Sequence, residues 1–235
     1  MRRGVFVTAT DTNIGKTVIA SSIVLGVMAR SIDCGVMKPV QCAGNDAFVL
    51  KTVSRAGDPL DVINPFFFKR PLSPHLAAML EGRRVAVKKI LRCYELLLER
   101  HEFLVVEGAG GLLVPISEKY LIADLIRDLN LEIVIVARAG LGTINHTMLT
   151  IEAARRRGIG IIGVVFNQSV RGPVTACERN NPVIIQKLGK ARNLGFVSFL
   201  NFRQGNAGTK ELRQIARKID IDSILNSPHM AKDNP

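Results

Sequence analysis

Gly15-Lys16-Thr17 closes the run Thr8-Ala-Thr-Asp-Thr-Asn-Ile-Gly-Lys-Thr17, whose residue types suit phosphate binding. It is the second half of a phosphate-binding loop, in which backbone N–H groups wrap phosphates, the lysine ammonium reaches the β and γ oxygens, and the threonine hydroxyl takes Mg²⁺. The first half departs from that pattern: a strict G-x-x-x-x-G-K-[ST] loop has glycine at position 10, where this chain has Thr10, preceded by Ala9. Context carries the assignment, because an apolar run precedes the loop and a helical spacing of apolar residues follows it.

A second group is Val105-Val106-Glu107-Gly108-Ala109-Gly110-Gly111. A carboxylate at the tip of a buried strand beside a phosphate loop is what a magnesium nucleotide needs, and the glycines let backbone approach phosphate. The third is Met37-Lys38-Pro39-Val40-Gln41-Cys42, with Asp46 four residues further on. Lys38 at a strand terminus of a doubly wound sheet points to the ligand crevice, and Asp46 can turn its carboxylate to the same Mg²⁺. Asp124 reads as a helix-surface or capping residue.

The elements that position these groups follow from hydrophobic periodicity. Gly4 to Thr8, Gly35 to Met37, Phe103 to Val106, Ile133 to Val136 and Ile161 to Phe166 read as short β-branched or apolar strands. Helical spacing covers Thr17 to Ala29, Val85 to Glu99, Leu121 to Leu129, Thr143 to Arg157, Pro182 to Ala191 and a closing helix from Lys210 to Leu225. Strands apolar on both faces and separated by helices describe a doubly wound, mostly parallel α/β sheet with helices on both faces. No repeat or Pro/Gly/Ser linker marks a boundary, so residues 1–226 are expected as one domain and 227–235 as a polar tail.

Composition narrows the class. With 47% hydrophobic and 22% charged residues the chain has the material for a packed core, which disordered segments lack. No stretch reaches the roughly 18 uninterrupted apolar residues of a membrane span. The opening residues read as the first strand rather than a secretory leader. Cys34, Cys42, Cys93 and Cys177 show neither a C-x-x-C pair nor histidine companions, so reduced thiols and a cytoplasmic setting are expected. The formal charge of +12 raises the question of nucleic acid. The basic groups Lys88-Lys89 with Arg92, Arg155 to Arg157, and Lys187, Lys190 and Arg192 fall on helix surfaces without interleaved aromatic residues, which argues against nucleic-acid binding. A positive field attracts anionic ligands instead.

Taken in order, Ala9 to Thr17, Lys38 to Gln41, Asn64-Pro65 with Ser73-Pro74-His75, Val106 to Gly111 and Gly142 to Thr150 resemble dethiobiotin synthetases, over about Val5 to Asn167. The resemblance implies an ATP- and Mg²⁺-dependent ring closure. In that family 7,8-diaminopelargonate takes up CO₂ as a carbamate, a carbamate oxygen attacks the γ-phosphate, and the second amine closes the ureido ring of dethiobiotin. It implies ATP contacts from Asn13, Ile14, Gly15, Lys16, Thr17, Val18, Glu107, Gly108, Ala109 and Gly110. Thr17, Asp46 and Glu107 become metal ligands, and Lys38, Lys16 and Thr12 the catalytic groups, with Thr12 touching the carbamate. Asn167 matches an adenine-contacting residue and is equally readable as a strand-end turn residue. Gly142, Thr143 and Asn145, with Thr12, Lys38 and Cys42, become substrate contacts. The Gly142 segment comes from a partner subunit, so the resemblance implies a homodimer with shared sites. His75 and His146 are taken as structural.

Several departures stand out. Ala9 replaces a usual glycine, tolerable if its φ is negative. Cys42 stands where hydroxyl residues are common, residues 42–46 are shorter than in some members, and Gly195 to Leu200 lacks a proline expected near the base. Two other readings compete: a partitioning or septum-site ATPase, whose signature lysine is replaced here by Asp11, and a non-catalytic nucleotide-binding module, suggested by Cys42 and Ser198.

Overall fold

The computed structural model describes residues 4–168, 170–199 and 208–227. The tail expected at 227–235 lies outside them from residue 228, as does Leu200 of the expected base loop. The strands in chain order are β1 (Gly4–Ala9), β2 (Cys34–Met37), β3 (Val40–Cys42), β4 (Phe66–Phe68) and β5 (Phe103–Glu107). They continue with β6 (Pro115–Ser117), β7 (Tyr120–Leu121), β8 (Glu132–Arg138), β9 (Ile161–Asn167) and β10 (Asn193–Val197). The first helices are α1 (Lys16–Met28), α2 (Asp46–Ser54), α3 (Leu60–Ile63), α4 (Pro74–Leu80) and α5 (Val87–Leu98). After them come α6 (Ile122–Asp128), α7 (Thr143–Arg156), α8 (Ala176–Gly189), α9 (Thr209–Ala216) and α10 (Ile221–Leu225).

Six strands form the main sheet in the order β10-β9-β8-β1-β5-β2, every pairing parallel. The expected α/β architecture is therefore present. Alternation along β1 shows why both faces must be covered: Phe6 feeds one apolar cluster with Met37, Val106 and Ile135, while Val5 and Val7 feed another with Ile19, Ile23 and Val134. Period-two alternation sends successive side chains to opposite faces. The second cluster lies under α1, which is buried nearly all round because α2, α9 and α10 cover its outer side. At Gly26 a Cβ would sit 2.6 Å from the Ile221 side chain, so only glycine allows α10 to pack this close to α1.

Two helices differ from the sequence expectation. The helix read as Pro182 to Ala191 begins six residues earlier, at Ala176, and carries Pro182 in its interior. A capping box starts it: Thr175 Oγ1 accepts from the Glu178 N–H at 3.2 Å and Glu178 Oε2 accepts from the Thr175 N–H at 2.8 Å. The closing helix read as Lys210 to Leu225 is two helices, α9 and α10, because Asp220 accepts from the Ser223 N–H at 3.0 Å and opens a new helix there. Asp124 caps α6, accepting from the Leu121 N–H at 2.8 Å. No described helix is long and apolar enough to cross a membrane.

Candidate active site

Strand register brings the distant motifs together. β5 pairs with β1 so that Val7 faces Glu107, and with β2 so that Met37 faces Val106. The phosphate loop after β1, Lys38 after β2 and Glu107 at the end of β5 therefore share one edge of the sheet, where doubly wound folds bind ligands.

Lys38 is the hub. Its Nζ lies 2.6 Å from Glu107 Oε1 and 2.8 Å from Asp46 Oδ2, and donates to the Gly108 carbonyl at 3.1 Å. Thr17 Oγ1 donates to the same Glu107 Oε1 at 2.9 Å. Burial works against the Lys38 ammonium, but the carboxylates of Glu107 and Asp46 outweigh it and hold its pKa above the usual lysine value. Burial pushes the Glu107 carboxyl up, against the pull of Lys38. Lys16 is drawn the other way: burial, reinforced by the nearby Lys38 charge, lowers it to about 8.

Local structure fixes each group. Asn13 (φ 58°) and Gly15 (φ 93°) take left-handed conformations, curling the loop over the start of α1. At Gly15 a Cβ would meet the Asn167 side-chain nitrogen at 2.5 Å, so this glycine is obligatory. Asn167 Nδ2 donates to the Ile14 carbonyl at 2.8 Å, which places Asn167 as a support of the loop as well as a strand-end residue. Ala9, within β1, is not among the residues with positive φ, so the condition for replacing glycine is met.

Lys38 is also fixed through its backbone: its N–H donates to the Ile63 carbonyl at 2.8 Å, and its carbonyl accepts from Asn64 Nδ2 at 2.5 Å. Residues 42–46, though short, still deliver Asp46. Ala43 (φ 59°) and Gly44 (φ 72°) turn the chain, while Gln41 donates to the Gly44 carbonyl and accepts from the Ala47 N–H, both at 2.9 Å. Gln41 and Asn64 appear in the sequence only as motif letters; their role is to set the backbone that aims Lys38 and Asp46.

These groups line a cavity of about 850 Å³. Thr12, Asn13, Gly15, Lys16, Thr17, Val18, Lys38, Cys42, Asp46, Glu107, Ala109 and Gly110 all face it. Ile14 and Gly108 are buried behind the lining: Gly108 is packed so that a Cβ would meet the Phe6 ring at 2.8 Å. Val49, Pro71, Leu72 and Val114, which the sequence reading did not single out, form an apolar wall with Pro74 of the Ser73-Pro74-His75 motif. Cys42 is half-buried, and burial pushes its thiol up to about 11, so it faces the cavity protonated.

Gly142, Thr143 and Asn145 are not brought to this cavity within one chain. Gly142 caps α7 at φ 86°, Thr143 is buried with its hydroxyl 3.2 Å from that of Thr147, and Asn145 borders a separate hollow of about 300 Å³. His75 is half-buried on α4 and His146 exposed on α7, neither lining the main cavity.

The "ATP-dependent dethiobiotin synthetase BioD" of Bacillus velezensis is 37% identical over 237 residues, covering 98% of this chain and 100% of that protein. The chain belongs to the dethiobiotin synthetase family. The family member from Methanocaldococcus jannaschii is 44% identical over 198 residues, 82% of this chain and 92% of its own. A family model described as an AAA domain matches residues 3–202. Among solved structures, MinD from Aquifex aeolicus superposes with a TM-score of 0.55 at 12% identity, over 99% of both chains. The pNOB8 ParA bound to nonspecific DNA gives 0.60 at 12% identity, over 100% of both. At that identity the likeness is one of fold, and it matches the parallel sheet described above. The family assignment makes the chain an ATP-dependent ligase of biotin biosynthesis.

Proposed function

We propose that the cavity joins ATP to a carbamate of 7,8-diaminopelargonate and closes the ureido ring of dethiobiotin on it. The observation that carries this reading is the meeting of two lysine ammonium groups, Lys16 and Lys38, with three hard oxygen donors, Thr17, Asp46 and Glu107, in one cavity. One substrate amine attacks CO₂ and loses a proton, giving the carbamate. A carbamate oxygen then attacks the γ-phosphorus as its bond to the ADP oxygen breaks. The second amine attacks the carbamoyl carbon, loses its proton and expels phosphate.

The obstacle to the middle step is repulsion between a carbamate anion and a polyphosphate. Fixed cations in a site with little water offset that repulsion most where charge builds up. In this reading Lys16 serves the phosphates and Lys38 the carbamate, which Thr12, within the loop, also touches. The donor set fits Mg²⁺: all three are hard oxygens, and Glu107 Oε2 is buried without a hydrogen-bond partner. Thr17, Asp46 and Glu107 would hold the ion, whose chemistry there is to neutralise phosphate charge. The apolar wall of Val49, Pro71, Leu72, Pro74 and Val114 suits the methylene chain between the amines and the carboxylate.

The same reading takes Gly142, Thr143 and Asn145 as a carboxylate site at a helix N-terminus that completes the cavity of a second copy, making the working unit a homodimer. It takes Asn167 as an adenine contact, residues 1–226 as one domain, and the cytoplasm as the place of work. A partitioning-type ATPase shares the fold, but Asp11 stands where such a loop carries lysine. Growth without biotin of a strain lacking the ring-closing step tests the assignment. The chain should restore growth and its Lys38→Met variant should not; failure of the expressed, ATP-binding chain to restore it overturns the reading.

A further inference from the structure

Arg138 and Asn167 face each other across β8 and β9, and both side chains reach the phosphate loop. Asn167 supports its end, at Ile14. Arg138 takes its beginning: Arg138 Nη2 lies 2.7 Å from Asp11 Oδ2. Asp11 is in turn tied into the loop, its Oδ1 accepting from the Thr12 N–H at 2.7 Å and its carbonyl accepting from Lys16 Nζ at 3.3 Å. The Thr10 N–H donates to the Val136 carbonyl at 3.0 Å, so the loop's first residues lie against the end of β8.

Asp11 therefore puts a carboxylate into a loop built for a polyanion, one residue's reach from the ammonium that must meet the phosphates. Left alone, that charge opposes nucleotide binding. Arg138 supplies the counter-charge from a neighbouring strand, and among the described residues Asp11 is the side chain its guanidinium pairs with, while its Nε is buried without a partner. The pair is partly exposed, with 35% of the Arg138 and 51% of the Asp11 side chain accessible. Such pairs add little to fold stability, so the contribution belongs in ligand binding.

We propose that Arg138 is a positioning residue for ATP, acting through Asp11: it cancels the Asp11 charge and holds that carboxylate, with the Thr12 N–H it caps, against the end of β8. This rests on the ATP-binding reading of the loop. It is independent of how Lys38 or the metal ligands act.

The test is a double-mutant cycle read by calorimetric binding of a non-hydrolysable ATP analogue with magnesium, without diaminopelargonate. Arg138→Gln should weaken binding about tenfold, with less loss at high salt, because screening reduces the exposed carboxylate's repulsion. Its kcat at saturating ATP should stay within about twofold, the change falling on KM for ATP. Asp11→Asn keeps the acceptor for Thr12 without the charge, and should bind as tightly as wild type or tighter. The double variant should return to within about twofold of wild type, and Arg138→Lys should recover part of the loss. A double variant as weak as Arg138→Gln, or an Arg138→Gln chain that binds like wild type, overturns the proposal. If Arg138→Gln does not fold, Asp11→Asn decides: a tenfold loss there overturns it. A wild-type chain that binds no ATP analogue removes the functional reading, and this proposal with it.

Discussion

Lys38 Nζ and Glu107 Oε1 stand 2.6 Å apart although 69 positions separate them in the chain. Parallel pairing of β2 with β5 sets the two side by side, and their side chains are 3% and 0% exposed. A pair this buried is held by its partners: Asp46 and Gly108 satisfy the ammonium, and Thr17 shares the carboxylate oxygen. Removing one member leaves the other charge buried and uncompensated, which typically costs about 3–5 kcal/mol.

Glu107→Gln keeps the shape and removes the charge. ATP binding should remain measurable while the magnesium concentration needed for half-maximal phosphate release rises sharply. A magnesium titration that overlays wild type would contradict Glu107 as a metal ligand.

Lys16→Ala should lower turnover by about 10²-fold or more, because no neighbour replaces its stabilisation of transition-state charge. With its pKa lowered to about 8, the free enzyme loses this ammonium as pH rises through that value. The kcat/KM for ATP, which reports free-enzyme ionisations, should therefore fall above about pH 8. A profile that stays flat well into the alkaline range would place the ammonium elsewhere.

Cys42→Thr exchanges a weak S–H donor for a hydroxyl on the cavity wall. Diaminopelargonate should bind more tightly, by about 0.5–1.5 kcal/mol if the hydroxyl finds a partner. Weaker binding would mean that Cys42 packs rather than meets substrate.

Much of this site was legible in sequence because its chemistry sits in contiguous letters. Gly15-Lys16-Thr17, Lys38 and Glu107 each end a strand or start a helix whose hydrophobic pattern is plain. What was not legible depends on pairing or on short elements. β3 and β4 have three residues each, too few to show alternation, and β10 is broken by an irregularity between Asn193 and Gly195. Pro182 reads as a helix start, although a capping box opens seven residues upstream at Thr175 with Glu178. The Arg138 to Asp11 contact spans 127 positions and exists only through the register of β8 beside β1.

His101 offers a prediction on stability. Its ring nitrogens lie 2.6 Å from Asp33 and 2.7 Å from Asp58, and Arg100 lies 2.9 Å from Asp58. Burial opposes the imidazolium, but its hydrogen bonds to the carboxylates of Asp58 and Asp33 outweigh that and raise its pKa. Burial likewise opposes the Asp58 carboxylate, and its bonds to His101 and Arg100 lower its pKa. The His101 contribution is thus fully present below its unfolded value of about 6.5 and lost as pH rises through the higher folded value. The Asp58 contribution is present above about 3.9 and lost as pH falls through its lowered folded value. In thermal melts across pH, the stability gap between wild type and His101→Gln should be widest in mildly acidic solution and close on the alkaline side. A gap that widens with pH would contradict the imidazolium.

Shared sites give a complementation test. A side chain at Gly142 is strained because φ is 86°, so Gly142→Leu should damage the α7 N-terminus while leaving the phosphate loop intact. Mixing it with Lys16→Ala should regenerate one intact site per mixed dimer and recover activity from two poor parents. Mixed dimers that form yet stay as inactive as the parents would contradict a shared site.

The central claim is that one cavity couples ATP cleavage to closure of a carbamate. Phosphate and dethiobiotin measured together, with purified protein, ATP, magnesium, bicarbonate and diaminopelargonate, test it most directly. The expected result is equal release of the two products, with phosphate release collapsing when diaminopelargonate or bicarbonate is withheld. Phosphate release that continues without diaminopelargonate, or that is stimulated by DNA instead, would contradict it.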